Sequence, residues 1–149
     1  MTTIGNSERE TQNRVIALFT SELGYRSLGD WKDREGNSNI EEPLLTAYLL
    51  RNGYTPAQST KAIHELRIEA NNPSRTLYDN NRKVYSLLHY GVPVKSAAGE
   101  KSVTVKLINT GHPELNDFAI AEEVTVYGQY GIAEAINNLP EGIKILGGV

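Results

Sequence analysis

The chain has no cysteine, which excludes disulfides and thiolate metal sites. It has no apolar run approaching the ~20 residues that a membrane-spanning helix requires, so no membrane role is expected. Its first residues, MTTIGNSERE, lack the apolar core of a signal segment and turn acidic early, which makes a cytoplasmic protein the expectation. Basic charge is not in excess either. Fifteen Lys and Arg stand against eighteen Asp and Glu, a net charge of −3, and no basic run stands out. Affinity for a phosphate backbone depends on clustered Lys and Arg, so any nucleic-acid surface has to be local. Phenylalanine is scarce: two residues against eight tyrosines, so the aromatic part of the core is expected to be polar-tipped. Internal repeats and low-complexity segments are absent.

What is present suits an ordinary globular chain. At 149 residues, 39% hydrophobic and 22% charged, one compact domain is the starting expectation. Ser7 with Glu10 has the spacing of a capping box, and Val15, Leu18, Phe19 and Leu23 follow at helical spacing, which predicts a helix over about residues 8–23 ended by Gly24. Tyr25–Asp30 reads as extended, and the polar run WKDREGNSN as a loop. Asn39 with Glu42 predicts a second helix start. Its apolar face is Ile40, Leu44, Leu45, Tyr48 and Leu49, Pro43 sits in the first turns and Gly53 ends it. Thr55-Pro56-Ala57-Gln58 is a third start, with a stripe of Ala62, Ile63, Leu66 and Ala70 broken at Asn71-Asn72-Pro73. A fourth helix is predicted from about Arg75 to His89, with Leu77, Tyr78, Val84, Tyr85, Leu87 and Leu88 inward and Gly91 as its stop.

After Gly91 the periodicity changes from 3.6 to 2. Val92–Lys95 leads to a hairpin-like turn at Ala98-Gly99-Glu100, and Val103, Val105 and Leu107 then alternate with Thr104, Lys106 and Ile108 as in a half-buried strand. Thr110-Gly111-His112-Pro113 is another turn. Phe118, Ile120, Val124 and Val126 mark a further strand, and the tail offers a short helix at Ile132–Asn138 and a strand at Ile143–Leu146. Helices first and sheet second predict an α+β fold: N-terminal amphipathic helices packed with a small, mainly antiparallel sheet.

Four segments in this order and spacing carry a resemblance: SERETQNRVIALFTSELGYRSLGDW, SNIEEPLLTAYLLRNGY, LYDNNRKVYSLLHYGVPVK and VKLIN…HPELNDFAIAEEVTV. Together they resemble the N-terminal region of the restriction (R) subunit of type I restriction–modification enzymes, over roughly residues 4–126. LGYRSLGDW and the pair LIN…NDFAIAEEVTV are the most specific runs. The resemblance implies a domain over 1–126 related to an incomplete PD-(D/E)xK nuclease domain, followed by a divergent tail over 127–149. It further implies a place in an ATP-dependent, DNA-cleaving complex that uses Mg²⁺ and ATP and whose partners are modification and specificity subunits, with DNA reached through that complex.

Phosphodiester hydrolysis of this type needs a metal held by hard oxygen ligands, a nearby cation and a water in line. A Glu-x-Lys delivers acid and cation to one face of a strand, because side chains alternate. Glu8 and Glu10 are the helix carboxylates. Glu10 lies where the family's first-helix acid is sought, and is also the N3 partner of Ser7. Asp117 opens a strand after Asn116, where a turn-capping role competes with a catalytic one. Of Glu122 and Glu123, adjacent on a strand, one at most can face a metal. After Val126 the family pattern calls for Pro-Asp and then Glu-x-Lys, but residues 127–149 hold no Asp. The nearest imitation, Pro140-Glu141 with Lys144, splits acid and lysine across a strand's two faces. Glu10 and Asp117 are therefore the candidate catalytic residues, and no cofactor site is evident within the chain. A divergent metal-dependent nuclease would have to use Glu10, Asp117, Glu123 and Lys144. A docking or decoy protein that binds the modification and specificity subunits is the other reading.

The remaining motifs are weaker. Gly128 and Gly131 lie between a strand and a helix, but neither G-x-G-x-x-G nor G-x-x-x-x-G-K-[ST] is complete, so no ATPase motor is read. His112, Glu114 and Asp117 could meet on a turn, although a solvated loop is the commoner outcome. His89 at a helix end would complement the helix dipole. Arg9, Arg14, Lys61, Arg67, Arg75, Arg82 and Lys83 are expected on helices, either as a DNA track or as solvated charge among interleaved acids.

Overall fold

The computed structural model describes residues 4–95 and 97–124. The fold is α+β, with elements in the order α1 (Ile4–Ala17), a π-helical turn (Leu18–Glu22), β1 (Arg26–Asp30), α2 (Glu42–Arg51), α3 (Pro56–Ala70), α4 (Leu77–Tyr90), β2 (Val92–Val94), β3 (Val103–Val105), a 3₁₀ turn (Pro113–Leu115) and β4 (Ala119–Glu122). The chain divides into two compact units. One is the continuous segment Asn39–Asn116; the other joins Met1–Ser38 to Asp117–Val149.

The unit over Asn39–Asn116 is built around an apolar core. Helices α2 and α3 contribute Tyr48, Leu49, Ala62, Ile63 and Leu66, and the β2–β3 hairpin with its continuation contributes Val92, Val94, Val105 and Leu107. Val84, Leu87 and Leu88 of α4 pack against this cluster, as do Ile40, Leu45 and Tyr54. The hairpin is antiparallel, Val92 opposite Val105 and Val94 opposite Val103. Its side chains alternate as period 2 demands: Val92 and Val94 are buried while Pro93 between them is exposed. Helix α3 starts as expected. The Thr55 side chain accepts from the Gln58 backbone N–H while the Gln58 side chain accepts from the Thr55 N–H. Gly91 is required where α4 turns into β2. Its φ is +87°, and a Cβ there would lie 2.7 Å from Thr104 Cγ2 and 2.9 Å from the Val105 carbonyl oxygen.

Three local expectations are corrected. Helix α1 begins at Ile4, so Ser7 lies inside it and cannot cap its start. Helix α2 has Glu41, not Asn39, at its N-cap, without a capping side-chain hydrogen bond; the turn is closed by the Glu42 N–H donating to the Ile40 carbonyl at 3.2 Å. In α4, Leu77, Tyr78 and Tyr85 are 75%, 74% and 68% exposed rather than inward. The six residues assigned to the inner face span more than one side of a 3.6-residue helix. The core takes the side bearing Asn80, Val84, Leu87 and Leu88, and Tyr78 and Tyr85 fall on the far side.

In the other unit, β1 and β4 pair in parallel: Arg26 with Ala119, Ser27 with Ile120, Gly29 with Ala121 and Asp30 with Glu122, the register shifting between Ser27 and Gly29. Among the described residues the strands thus form two separate pairs, one antiparallel and one parallel. Phe19, Tyr25 and Phe118 form a ring cluster beside this pair, with centroids 4.8 Å apart for Phe19 and Tyr25 and 5.1 Å for Tyr25 and Phe118. The expected helix at 132–138, the expected strand at 143–146 and the Gly128/Gly131 turn lie outside the described residues.

Candidate functional site

The acids expected to do chemistry gather around α1, β1 and β4. Asp117 is reached by Arg26 of β1, whose guanidinium donates to Oδ2 at 2.9 Å. Glu122, at the end of β4, pairs with Arg9 of α1 at 3.5 Å, and Gln12 one turn further along α1 donates to Glu123 Oε1 at 3.1 Å. Arg9 and Gln12 also bond each other at 3.2 Å. This arrangement fixes the helix against the strand end. Glu10 is exposed on α1, beside Arg9 in sequence but one residue round the helix from the Arg9–Gln12 face. Glu123 has φ +51°, a left-handed conformation that costs a non-glycine residue about 1–2 kcal/mol and ends the strand pairing.

Mg²⁺ needs several oxygen ligands around one point. Among the described residues, no three His, Cys, Asp or Glu side chains are grouped to hold a metal ion. Asp117, Glu122 and Glu123 each face a different nitrogen donor instead. The Pro140-Glu141 and Lys144 positions lie outside the described residues. His112 and Glu114 form an exposed pair at 3.2 Å.

Another polar cluster was not foreseen. Asn116 Oδ1 accepts from the Tyr48 hydroxyl at 3.1 Å and from the Asn109 N–H at 2.8 Å, and its Nδ2 donates to the Asn109 carbonyl at 2.9 Å. Tyr54 Oη accepts from the Lys106 N–H at 2.9 Å. Tyr48, Tyr54, Lys106 and Asn109, with Asn52, Ile108, Thr110, Gly111 and Leu115, line an open cleft of about 360 Å³. Burial and, secondarily, the neighbouring Tyr54 push the Tyr48 phenol above its ordinary pKa, against the Asn109 N–H and Arg51, which lower it. Tyr48 therefore acts as a neutral hydroxyl donor. The sequence signal was the pair of asparagines in LIN…N, which a local reading assigns to turns.

The geometry accounts for the specific runs of the sequence. LGYRSLGDW and NDFAIAEE are hydrogen-bonded to each other as β1 and β4, extended by Arg26 N–H to the Phe118 carbonyl and Trp31 N–H to the Glu122 carbonyl, 3.0 and 2.8 Å. The two asparagines of LIN…N close the intervening loop. Residues 5–135 match the family model for the type I restriction enzyme R protein N terminus.

The chain belongs to this family.

The match reaches past Val126, where the sequence runs quoted above end. No curated protein and no solved structure gives a significant match to the chain. Among the described residues, no helix is long and apolar enough to cross a membrane.

Proposed function

We propose that this R-protein N-terminal region is a docking and scaffold module of a type I restriction complex, which acts on DNA with Mg²⁺ and ATP in the cytoplasm. In this reading the modification and specificity subunits are its partners, and residues 1–126 form its domain with 127–149 as a divergent tail. The observation that carries the proposal is the use of the carboxylates around β4: Asp117, Glu122 and Glu123 are bonded to Arg26, Arg9 and Gln12. These contacts hold a helix and two strands together and leave no three-acid cluster among the described residues. Residues 127–149 hold no Asp. Cutting and translocation then belong to the assembled enzyme, and a decoy role would use the same surface. The test is co-purification of the full chain with its cognate methyltransferase core. A stable complex is expected, and no complex would end both docking versions.

A second reading is favoured by the strained backbone at Glu123, since strain of this kind collects at functional sites. A divergent nuclease would use Glu10, Asp117, Glu123 and Lys144. It requires Mg²⁺- or Mn²⁺-dependent cleavage of plasmid DNA above a Glu10→Ala control, and equal background from the two proteins would end it.

A further inference from the structure

Helix α4 has two faces, and the core uses one of them. On the other, Tyr78, Arg82, Tyr85 and His89 follow at intervals of four, three and four residues. That is the d–a–d–a spacing of a helix–helix seam, and it runs about 16 Å along the helix at 1.5 Å per residue. Tyr78 and Tyr85 are 74% and 68% exposed. The rings of Tyr85 and His89 lie nearly parallel, 6° between planes with centroids 6.0 Å apart, and His89 meets the 67%-exposed Tyr90 edge-on at 4.5 Å. The seam contains no carboxylate. Asp79, the one acid of α4, lies off it and is bonded to the Thr76 hydroxyl at 2.7 Å. Among the described residues, Arg82 has no carboxylate within ion-pair distance.

We propose that this seam is the contact surface of the docking module, and that its occupant is an amphipathic helix of the methyltransferase core that sets aliphatic side chains on Tyr78 and Tyr85 and a carboxylate on Arg82. The inference rests on the docking reading above. Tyrosine and arginine are the residues that dominate binding energy at protein interfaces, and the heptad spacing selects a helix as the complementary shape. Charge selects the partner. Two copies related by a twofold axis would bring two Arg82 guanidiniums into one seam with no carboxylate from either chain to balance them. A nucleic acid strand would meet a single guanidinium on the seam, in a chain of net charge −3, whereas backbone affinity grows with the number of cations engaged.

The test uses the full chain and the purified cognate methyltransferase core, with dissociation constants from biolayer interferometry and folding checked by circular dichroism. Tyr78→Ala with Tyr85→Ala is expected to weaken binding about 100-fold, and Arg82→Glu about 30-fold, the scale of interface hot spots. Arg82→Lys, which keeps the charge, is expected to stay within about threefold. These sites are exposed, so the variants should fold as the parent does. If the parent binds and folded seam variants bind equally well, the seam is overturned and the docking module stands. If the parent does not bind, both fall. If the substitutions instead change self-association in sedimentation, or oligonucleotide binding in fluorescence anisotropy, while binding to the core is unchanged, the surface serves a second copy or a nucleic acid and the proposal is overturned.

Discussion

The two units of this chain are held together by different physics. All nine of the buried hydrophobic residues among the described ones fall within Asn39–Asn116, where three helices lie on a hairpin. In the other unit the buried residue among those described is polar: Asn37, whose Nδ2 donates to the Trp31 carbonyl at 2.9 Å while its Oδ1 accepts from Arg34. Among its described residues that unit relies on parallel strand pairing, the Phe19–Tyr25–Phe118 ring cluster and the Arg26–Asp117 and Arg9–Glu122 pairs. Burial of apolar area is the larger and less screened contribution, and exposed ion pairs contribute little. On the described residues, the discontinuous unit is therefore expected to open first.

The sharpest way to break this contrast is to empty the core. Leu49 is fully buried, and Leu49→Ala is expected to cost about 2–5 kcal/mol, read as a lower urea midpoint by circular dichroism. Gly91→Ala comes next, at about 2 kcal/mol, because a β-carbon at φ +87° would also strike Thr104 and the Val105 carbonyl. Asn116→Ala removes three hydrogen bonds and leaves the Tyr48 hydroxyl without that acceptor, a loss of about 1–3 kcal/mol.

The same tyrosine sharpens the comparison through pH. Its folded pKa is raised, so its contribution is fully present below the ordinary phenol range and is lost as pH rises through the raised value. Tyr48→Phe should flatten that alkaline loss of stability in a pH series of urea melts. The smallest effect belongs to the discontinuous unit. Arg26→Ala breaks a half-exposed pair with Asp117 and should change stability by less than about 1 kcal/mol, with faster amide exchange confined to β1 and β4. A core-sized loss from Arg26→Ala would overturn the ranking of the two units.

Much of the continuous unit was legible in the sequence because its signals are local. The Thr55–Gln58 capping box, the Ala62–Ile63–Leu66 stripe and the alternation of Val92, Val94 and Val105 each specify a conformation within a few residues. The failures were local too. Ser7 and Asn39 have the right spacing for caps but lack the chain context, and α4 carries more apolar and aromatic residues than one face can bury, so pattern alone could not say which tyrosines turn outward. The candidate acids were legible as residue types, whereas their partners were not: Arg26 and Asp117 are 91 residues apart, and Gln12 and Glu123 are 111 apart. No local pattern encodes a parallel pairing across an inserted unit.

The sequence by itself determined the family, the α+β class and the start of α3, because these depend on ordered motifs and on short-range backbone chemistry. Only the tertiary structure decided that the runs LGYRSLGDW and NDFAIAEE are neighbouring strands, that Asp117, Glu122 and Glu123 are paired with Arg26, Arg9 and Gln12, and that α4 shows a tyrosine–arginine seam to solvent. Each of these depends on which surfaces meet when distant segments close together, and that is set by packing and not by spacing along the chain.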